Sequence, residues 1–391
     1  MNVPFHEARR TAGQLGAEHP NRTETVPLRA AHGRTLAAPV HARTSVPPTD
    51  TAAMDGWVVA GSGPWRLDGS VRMGEAPGNP LMVGTARAIT TGGAVPEGAT
   101  AVLRSERSRV VEDVVVTAGV DMLLPALADV RRAGEEIQVG DIVVGAGVRV
   151  TPAVVAAAAA TGTDAVQVIR RPRVALVLLG DEVVQEGIPA PGQVRDAFGV
   201  SIPEILRGAG MDVTSVTYVP DDAAAVRDAL RQEDVDLVIS TGGTGHGHGD
   251  HLVSVLDVLG AAVPVRGVAM RPGHPTVLAR RADGVLVLGL PGNPLAALAA
   301  IVALGLPLIA GLLGSSAPPL LTRVAARPLT GPPSGVRLIA VAETSDGIVP
   351  VQRQGPAMTC GLVGADGIAV VDADGVGSGT SADVLSVPWA R

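Results

Sequence analysis

The sequence predicts a multidomain protein of the α/β and β classes, with a central doubly wound α/β domain between two β-rich regions. Three observations lead to this prediction. The 391 residues are enough for two to four domains of ordinary size. Residues 173–290 alternate apolar, strand-like runs with helical segments, as in doubly wound sheets. On both sides of that stretch, short runs of β-forming residues are separated by Gly and Pro.

The first part of the chain is expected to form a small β-rich unit. Residues 1–45 predict an Arg-bearing helix followed by turn-rich strands. From residue 46 to about residue 124, the runs WVVAG, TAVLRSE and VEDVVVTAG favour short strands over strand–helix alternation. An Ala-rich run at 154–161 is expected to be helical.

At Pro172 the pattern changes. RVALVLLG (173–180) is a continuous apolar run that ends in Gly, typical of a parallel strand buried on both faces. After it, helices are expected around 201–209, 221–232 and 252–260, and strands at 212–219, 236–241 and 285–290. Residues 315–391 return to short alternating strands (VRLIAVAE, GIAVVDAD and DVLSVPW), with a domain boundary expected at 314–319.

One apolar segment resembles a membrane span. Residues 295–313 carry no charge and are long enough to cross a bilayer. The segment is rich in Ala and contains Gly305 and Pro307, so a buried helix is the favoured interpretation. The first residues lack the apolar stretch of a signal peptide. We therefore expect a soluble, cytoplasmic protein without a membrane partner.

Composition excludes several classes of function. The net charge of −7 and the six aromatic residues argue against a nucleic-acid partner. A lone Cys360 excludes an internal disulfide and a Cys-based zinc cluster. All 31 basic residues are Arg and none is Lys, which rules out Schiff-base chemistry.

Three loops at the carboxyl ends of predicted strands carry the polar residues. They are Gly180-Asp181-Glu182, the glycine-histidine loop at 241–251, and Leu290-Pro291-Gly292-Asn293-Pro294. Ligands of open α/β sheets bind at this edge. The backbone N–H groups of the glycine loop could hold a phosphate or another oxyanion, and an ordinary Gly-rich turn is the alternative interpretation.

The histidines of the same loop also have two interpretations. His246, His248 and His251, with Asp250, could bind a transition metal, since imidazole and carboxylate suit zinc or iron. The alternative is polar contact with solvent or ligand, because a glycine-flanked loop does not order its ligands in advance.

Carboxylates in several loops suit a divalent cation. Asp55, Glu182, Asp221 and Asp250 beside an anion cradle would suit Mg²⁺ and a phosphorylated ligand. Taken singly, Asp55 is more typical of a turn carboxylate and Thr91 of a strand-end hydroxyl, and Asp221 is equally consistent with part of a helix cap. Residue chemistry alone therefore leads to a phosphate-bearing substrate, a divalent metal, and group transfer or hydrolysis.

Seven motifs, in order over roughly residues 1–312, resemble the molybdopterin molybdenumtransferase family, which includes MoeA and the E domain of gephyrin. They are PPTDTAAMDGWVV (47–59), ITTGGAVPEGATAV (89–102), RRAGEEIQVGD (131–141), RRPRVALVLLGDEV (170–183), STGGTGHGHGD (240–250), AMRPGHP (269–275) and GLPGNPLAA (289–297). Each motif alone is weak, and their common order makes the resemblance specific.

The resemblance implies an elongated four-part subunit. Its parts would be an N-terminal linking region (1–45 plus 125–170), an inserted β-rich domain (46–124), an α/β molybdopterin-binding domain (171–313) and a C-terminal β-barrel-like domain (314–391). It also implies a homodimer, with each active site between the central domain of one subunit and the N-terminal part of the other.

The resemblance further implies a reaction. Family members take adenylylated molybdopterin and molybdate, insert the metal into the dithiolene and release AMP, with Mg²⁺ required. An adenylyltransferase would supply the substrate. The alternative is a paralogue that binds a molybdopterin or a nucleotide without inserting metal.

Functional residues carry over position by position. The resemblance implies catalytic roles for Asp55, Thr91, Glu182, Asp221 and Asp250, with Glu182 and Asp250 also as Mg²⁺ ligands. It implies substrate contacts for Gly242, Gly243, Thr244, Arg271, His274, Pro291, Asn293, Pro294 and Glu136.

The chain also departs from the family pattern. The family's KPGKP is RPGHP here, so that Arg271 and His274 replace two lysines, and a further family Lys falls on Gly267. The family's DSN becomes Asp196-Ala197-Phe198. These changes affect the expected substrate affinity more than the fold.

Overall fold

A computed structural model of the chain describes residues 2–119, 124–245 and 251–390. The chain divides into two compact units. The first consists of Met1–Glu24, Gly33–Thr35 and Val168–Arg391, and the second of Thr25–His32 and Leu36–Gln167. The four-part division at 45, 124, 170 and 313 stays a prediction.

The helices agree with those expected from the sequence to within a few residues. They are α1 (Phe5–Ala17), α2 (Pro152–Ala160), α3 (Phe198–Gly208), α4 (Ala223–Leu230), α5 (Leu252–Val258), α6 (Pro294–Ala300) and α7 (Leu306–Leu312). A π-helical turn, Ile301–Gly305, joins α6 to α7.

Strands occur throughout both units. In the first part of the chain they are β1 (Thr23–Pro27), β2 (Val40–His41), β3 (Thr51–Ala52), β4 (Gly56–Val59), β5 (Trp65–Val71), β6 (Thr85–Ile89), β7 (Ala101–Arg104), β8 (Ser108–Val111), β9 (Val114–Thr117), β10 (Val130–Arg131), β11 (Ile142–Val144) and β12 (Ala165–Ile169). In the middle they are β13 (Arg173–Leu179), β14 (Val183–Val184), β15 (Val194–Arg195), β16 (Asp212–Val219), β17 (Leu237–Thr241), β18 (Ala262–Arg266), β19 (Met270–Arg271), β20 (Val277–Arg280) and β21 (Leu286–Leu290). At the end they are β22 (Leu321–Val324), β23 (Val336–Thr344), β24 (Gly347–Pro350), β25 (Gly367–Val371) and β26 (Ser381–Ser386).

The second unit contains a six-stranded sheet. Its strand order is β7-β4-β6-β5-β9-β8, with β5 and β6 parallel and the other pairs antiparallel. The three β runs expected from the sequence lie in β4, β7 and β9. Val58, Val102 and Trp65 are among the buried side chains of its core.

The central sheet of the first unit is mixed, which corrects part of the prediction. Its order is β16-β13-β17-β21-β20-β18. The pairs among β16, β13, β17 and β21 are parallel, as a doubly wound sheet requires. Strands β20 and β18 continue the sheet in antiparallel fashion and were not expected. They are short, and β18 alternates exposed with less exposed residues, as an edge strand does.

Helices cover both faces of this sheet. Along β13, Val174, Leu176 and Leu178 contribute to a core that also contains residues of α1, α3, α6 and α7. The alternate residues Ala175 and Val177 contribute to a second core, with residues of α4 and α5. Strand β13 is therefore buried on both sides, as its continuous apolar run indicates.

The long apolar segment is a core helix. Pro294–Leu312 has a mean hydropathy of 2.5 and is long and apolar enough to cross a membrane, but 89% of its most apolar window is buried inside the protein. The buried-helix prediction is confirmed.

Helix α1 crosses this segment at very short range because glycines lie at the crossing. A Cβ atom on Gly16 would lie 2.1 Å from the Leu308 carbonyl oxygen, and one on Gly311 would lie 2.4 Å from the Gly13 carbonyl oxygen. Any larger residue at Gly16 or Gly311 would force the two backbones apart.

A buried arginine completes the same contact. Arg9 of α1 is 9% exposed, and its Nη1 donates to the Ala303 carbonyl oxygen at 3.0 Å. Proline at position 307, four residues after Ala303, has no N–H to offer that carbonyl, and the helix widens into a π turn before it. Burial lowers the pKa of Arg9. The guanidinium therefore ties α1 to the π-helical turn through a buried backbone carbonyl.

The C-terminal strands form a second six-stranded sheet of the first unit. Its order is β19-β23-β25-β26-β22, with β24 also paired to β23. Strand β19 comes from the segment between β18 and β20. One strand of this sheet therefore precedes, in the sequence, the domain boundary expected at 314–319. An isolated parallel bridge joins Ala325, directly after β22, to Ile348 of β24.

Candidate functional site

The carboxyl ends of β13, β17 and β21 open into a cavity of about 740 Å³, which we name the glycine-loop cavity. All three loops that the sequence singled out contribute to its lining. The predicted site residues among the lining are Glu182, Asp221, Gly242, Gly243, Thr244, Pro291, Asn293 and Pro294. The parallel strands place these loops at one edge of the sheet.

The glycine loop turns sharply where it leaves β17. Gly242 and Gly243 have φ angles of +81° and +63°, which favour glycine. The Gly242 N–H donates to the Leu290 carbonyl oxygen at 3.0 Å, and the Gly243 carbonyl accepts from the Leu252 N–H at 3.2 Å. The Gly242 N–H is therefore engaged within the protein, and an anion would depend on the N–H groups that follow it.

Part of the predicted site lies outside the described residues. His246, His248 and Asp250 belong to the stretch 246–250. His251 is described and is the N-cap residue of α5, where its carbonyl accepts from the Val255 N–H at 2.9 Å.

Carboxylates concentrate at the cavity wall. Loss of solvent raises the pKa of Asp221 above its ordinary value, and the negative charges of Glu182 and Asp181 raise it further. A hydrogen bond from the Asp181 N–H and the nearby His251 act in the opposite direction. The repulsion shows that Asp181, Glu182 and Asp221 lie within electrostatic reach of one another.

These carboxylates do not form a ready-made metal centre. No group of three His, Cys, Asp or Glu side chains is placed to hold a metal ion within residues 2–119, 124–245 and 251–390. A site built from Glu182 and Asp221 needs further ligands, for which substrate phosphate oxygens are suitable.

The C-terminal part of the first unit supplies one rim of the cavity. The Pro356 carbonyl oxygen accepts a hydrogen bond from the Leu295 N–H, at the start of α6, at 2.9 Å. Ala357 and Thr359 follow and line the glycine-loop cavity. The N-terminus of α6 is thus capped by the protein's own backbone.

Arg271 does not line the glycine-loop cavity. It lines a second cavity of about 610 Å³, which we name the arginine cavity, together with Arg337. The two arginines are direct neighbours in the parallel pair β19–β23. Neither has an ion-pair partner among the described residues. This cavity therefore offers two adjacent positive charges to an anion.

His274 is not among the residues that line either cavity. Its Nε2 lies 2.8 Å from the Asn2 side-chain nitrogen, while the following Pro275 lines the glycine-loop cavity. Gly267, which stands where the family has Lys, has a φ angle of +85°. A side chain would be strained at that position, which gives the departure a structural reason.

Asp196 and Tyr218 form a polar pair beside the glycine-loop cavity. Asp196 is 7% exposed and accepts from the Tyr218 hydroxyl at 2.7 Å and from the Phe198 N–H at 2.8 Å. Burial, the hydrogen bond to Asp196 and the charge of Asp196 raise the pKa of Tyr218 to about 12. The pair fixes the start of α3, and with it the position of Phe198.

The remaining predicted residues belong to the second unit. Both the N–H and the hydroxyl of Thr91 donate to one oxygen of Asp55, at 2.6 and 2.8 Å. These two hydrogen bonds lower the pKa of Asp55. Glu136 is exposed, and its N–H donates to the Val46 carbonyl at 3.0 Å. The structure thus joins Asp55 to Thr91 directly, a contact that the sequence analysis did not predict.

Sequence reasoning missed Arg195, Arg337 and Tyr218. Arg195 lines the glycine-loop cavity, and its position directly before Asp196 in the VRDAF segment was an available signal. The partnership of Arg337 with Arg271, and that of Tyr218 with Asp196, depends on strand register, and no local pattern announces it.

Comparison with known proteins places the chain in one family. A family model described as the MoeA N-terminal region (domains I and II) matches residues 3–162, and one described as a probable molybdopterin binding domain matches residues 175–311. The chain is 32% identical over 303 residues to the molybdopterin molybdenumtransferase of Haemophilus influenzae, which covers 75% of this chain and 74% of that protein. It is 33% identical over 306 residues to molybdopterin molybdenumtransferase 2 of Mycobacterium tuberculosis, covering 71% and 72%.

Solved structures agree. The crystal structure of a molybdopterin biosynthesis MoeA protein from Pyrococcus horikoshii superposes with a TM-score of 0.83 at 26% identity, over 99% of both chains. Two family models, relatives at one third identity and this fold lead to the same assignment. The chain belongs to the molybdopterin molybdenumtransferase (MoeA) family, a family of transferases of molybdenum cofactor biosynthesis.

Proposed function

We propose that the protein inserts molybdate into adenylylated molybdopterin and releases AMP. The observation that carries this proposal is the convergence of Glu182, Asp221, the glycine loop and the 290–294 turn on one cavity. The relatives are named for molybdenum transfer to molybdopterin, and the cavity has the size and the oxygen ligands that a phosphorylated pterin needs.

The arginine cavity supports molybdate as the second substrate. An oxyanion is repelled by the carboxylates of the glycine-loop cavity unless a cation intervenes. Arg271 and Arg337 supply two adjacent guanidinium groups, whose planar N–H donors suit a tetrahedral oxyanion. Pro356 lines this cavity and Ala357 lines the glycine-loop cavity, so the two hollows adjoin.

Magnesium fits the same arrangement. Mg²⁺ is commonly held by one or two carboxylates and the phosphates of a substrate. The negative charge of Glu182 beside Asp221 supports these two carboxylates as groups that a cation would stabilise. The ion would neutralise negative charge on the phosphate groups that link AMP to the pterin, and Asp250 stays a predicted further ligand.

Asp55 and Thr91 are proposed to act in a composite site of a homodimer. Thr91 keeps Asp55 ionised and directs one of its oxygens, which suits a residue that orients a substrate or a hydrated metal. We also propose that the C-terminal sheet closes into a barrel-like form, which the bridge between Ala325 and Ile348 supports.

The test is an AMP-release assay with purified protein, adenylylated molybdopterin, molybdate and Mg²⁺. We expect one AMP per inserted molybdenum, and loss of release when Mg²⁺ is removed. Glu182→Gln should reduce release by at least 100-fold, because it removes a charge from the cavity. Glu233→Gln is the matched control, since Glu233 is exposed and lines neither cavity.

Two outcomes would contradict the proposal. If the protein bound the adenylylated pterin but released no AMP, it would be a binding paralogue without insertion activity. If Glu182→Gln and Asp55→Asn both retained full activity, the proposed roles of the carboxylates would be wrong.

A further inference from the structure

A second hollow adjoins the glycine-loop cavity on the side of α3. This hollow, which we name the aromatic groove, measures about 640 Å³ and is lined by Phe198, Ile205, Leu362, Val363 and Trp389, among others. Its lining shares four residues with the glycine-loop cavity: Ala197, Phe198, Pro294 and Thr359. The two hollows therefore form one continuous trough.

The chemistry of the trough changes along its length. The glycine-loop cavity carries three carboxylates, those of Glu182, Asp196 and Asp221, among apolar residues, whereas the aromatic groove is more apolar and carries one, that of Glu204. Val200 and Val363 at the groove are 65% and 77% exposed. An occupant that spans both parts must combine a charged, polar portion with a flat or apolar one.

Arg195 is the basic side chain of the trough. Among the described residues that line the glycine-loop cavity and the aromatic groove, Arg195 is the only Arg or Lys. It has no ion-pair partner in the described part of the chain. Its Nη1 donates to the Val184 carbonyl at 3.2 Å, which leaves the other N–H groups available. A guanidinium so placed suits a phosphate group.

The backbone around Arg195 is firmly held. Strands β14 and β15 pair in parallel, and the Val194 N–H and the Asp196 N–H donate to the carbonyls of Glu182 and Val184, both at 2.9 Å. Asp196 is fixed in turn by Tyr218. Three residues after Arg195, Phe198 stands where the two hollows meet.

A nucleotide matches an arginine followed by an apolar surface. In AMP the phosphate and the base are separated by a ribose, so that an anion at one end is joined to a flat ring at the other. The resemblance gives Ser and Asn after the Asp of this motif, whereas this chain has Ala197 and Phe198. The change replaces polar side chains with an apolar surface at the junction, which favours contact with a ring.

We propose that the AMP half of the substrate lies along this trough, with its phosphate on Arg195 and its adenine in the aromatic groove against Phe198 and Trp389. The inference rests on the proposed function, since it assigns one half of the adenylylated pterin. The arginine cavity adjoins the glycine-loop cavity at Pro356–Ala357 and has no lining residue in common with the groove. The dithiolene must meet molybdate on that side, which leaves the groove for the nucleotide end.

Calorimetric titration with three probes separates the two contacts. AMP carries both groups, adenosine lacks the phosphate, and ribose 5-phosphate lacks the base. Arg195→Ala should weaken AMP and ribose 5-phosphate about tenfold to 100-fold and leave adenosine unchanged. Phe198→Ala and Trp389→Leu should weaken AMP and adenosine about fivefold to 100-fold and leave ribose 5-phosphate unchanged.

Control variants distinguish the loss of a ligand contact from the loss of folding. Arg323→Ala removes an exposed arginine that pairs with Glu343 on the C-terminal sheet, and it should not change any affinity. Trp389 and Phe198 both pack against the main core, so affinities are compared only for variants whose thermal unfolding stays cooperative and close to that of the wild type. Phe198→Asn, which restores the polar residue of the family motif, should weaken adenosine binding.

The proposal fails if AMP and adenosine bind Phe198→Ala and Phe198→Asn as tightly as the wild type. It also fails if these variants lose affinity for neopterin and keep it for AMP, since the groove would then hold the pterin. Failure of the proposed function looks different: the probes would follow the expected pattern, but no AMP would be released from adenylylated molybdopterin.

Discussion

Tyr218 is the one tyrosine of the chain, which makes its ionisation directly observable. Burial, together with the hydrogen bond to Asp196, raises its pKa to about 12. We expect the absorbance change of tyrosinate at 295 nm to have a midpoint near pH 12 in the folded protein and near the ordinary value of about 10 in denaturant. A midpoint near 10 in the folded protein would show that neither burial nor the hydrogen bond to Asp196 raises the pKa of Tyr218.

The same shift predicts the direction of a stability change. The folded pKa of Tyr218 lies above the unfolded value, so its contribution is fully present below about pH 10 and is lost as the pH rises towards 12. In denaturant titrations at pH 8, the free energy of unfolding of Tyr218→Phe should therefore be lower than that of the wild type. This difference in free energy should shrink above pH 10.

Asp55 offers a test in the second unit. The Thr91 N–H, and after it the Thr91 hydroxyl, lower the pKa of Asp55. Thr91→Val removes only the hydroxyl, so the pKa of Asp55 should rise towards its ordinary value in a carboxyl ¹³C NMR titration. A lowered carboxyl pKa contributes stability at higher pH, and that contribution is lost as the pH falls through the lowered pKa.

Thr90→Val is the matched control for this variant. The Thr90 hydroxyl makes no hydrogen bond in the part of the chain that the structure describes, although its carbonyl accepts from the Gly93 N–H. An unchanged pKa of Asp55 in Thr91→Val would mean that the backbone N–H alone determines it.

At the scale of single residues, the sequence predicted the groups whose positions follow from strand ends. Glu182 and Asp221 follow β13 and β16, and Asn293 follows β21, so the parallel sheet brings them to one edge. Arg271 was expected among the substrate contacts, but its place depends on β19, which joins the other sheet. Local sequence does not encode such long-range pairing.

Helix α1 is held against α7 by glycines, and this contact predicts an effect at the scale of elements. Gly311→Ala should lower the free energy of unfolding by about 1–3 kcal/mol, because the new Cβ would overlap the backbone of α1. Gly208→Ala at the end of α3 is the control. It has open space around the position and should be neutral or stabilising by up to about 1 kcal/mol.

Chemical denaturation at one temperature and pH measures both variants. Equal stabilities of Gly311→Ala and Gly208→Ala would mean that α1 and α7 are not in backbone contact.

The helices and strands that were predicted correctly have a clear hydrophobic pattern in their own sequence. The helices α2 to α5 and the strands β13, β16, β17 and β21 are long or continuously apolar, and each was expected close to its observed bounds. Strands β18, β19 and β20 have two to five residues each and form by pairing with distant strands. Their sequence, with Pro and Gly nearby, is equally typical of a loop.

At the scale of the whole molecule, the proposed composite site requires two copies of the chain. Light scattering coupled to gel filtration should give twice the 39.4 kDa chain mass at micromolar concentration. Mixing inactive Asp55→Asn with inactive Glu182→Gln should restore part of the AMP release, because a mixed dimer keeps one intact site. A single-chain mass, or no recovery on mixing, would contradict the composite site.

The order of the motifs was enough to identify the family, because seven motifs in register are specific even where each is weak. The boundaries between the four domains stay a prediction. The C-terminal sheet takes β19 from the segment before residue 314, so the covalent order of the chain does not coincide with its spatial division.

The contact between Arg9 and Ala303 also determines when the protein can finish folding. The ribosome makes Ala303 about 300 residues after Arg9, which at ordinary elongation rates takes roughly 15–60 s. During that interval the buried face of α1, with Phe5, Ala8 and Ala12, lacks α7, its main packing partner. Helix α1 is therefore a stretch that nascent-chain chaperones are expected to shield until α7 has been made.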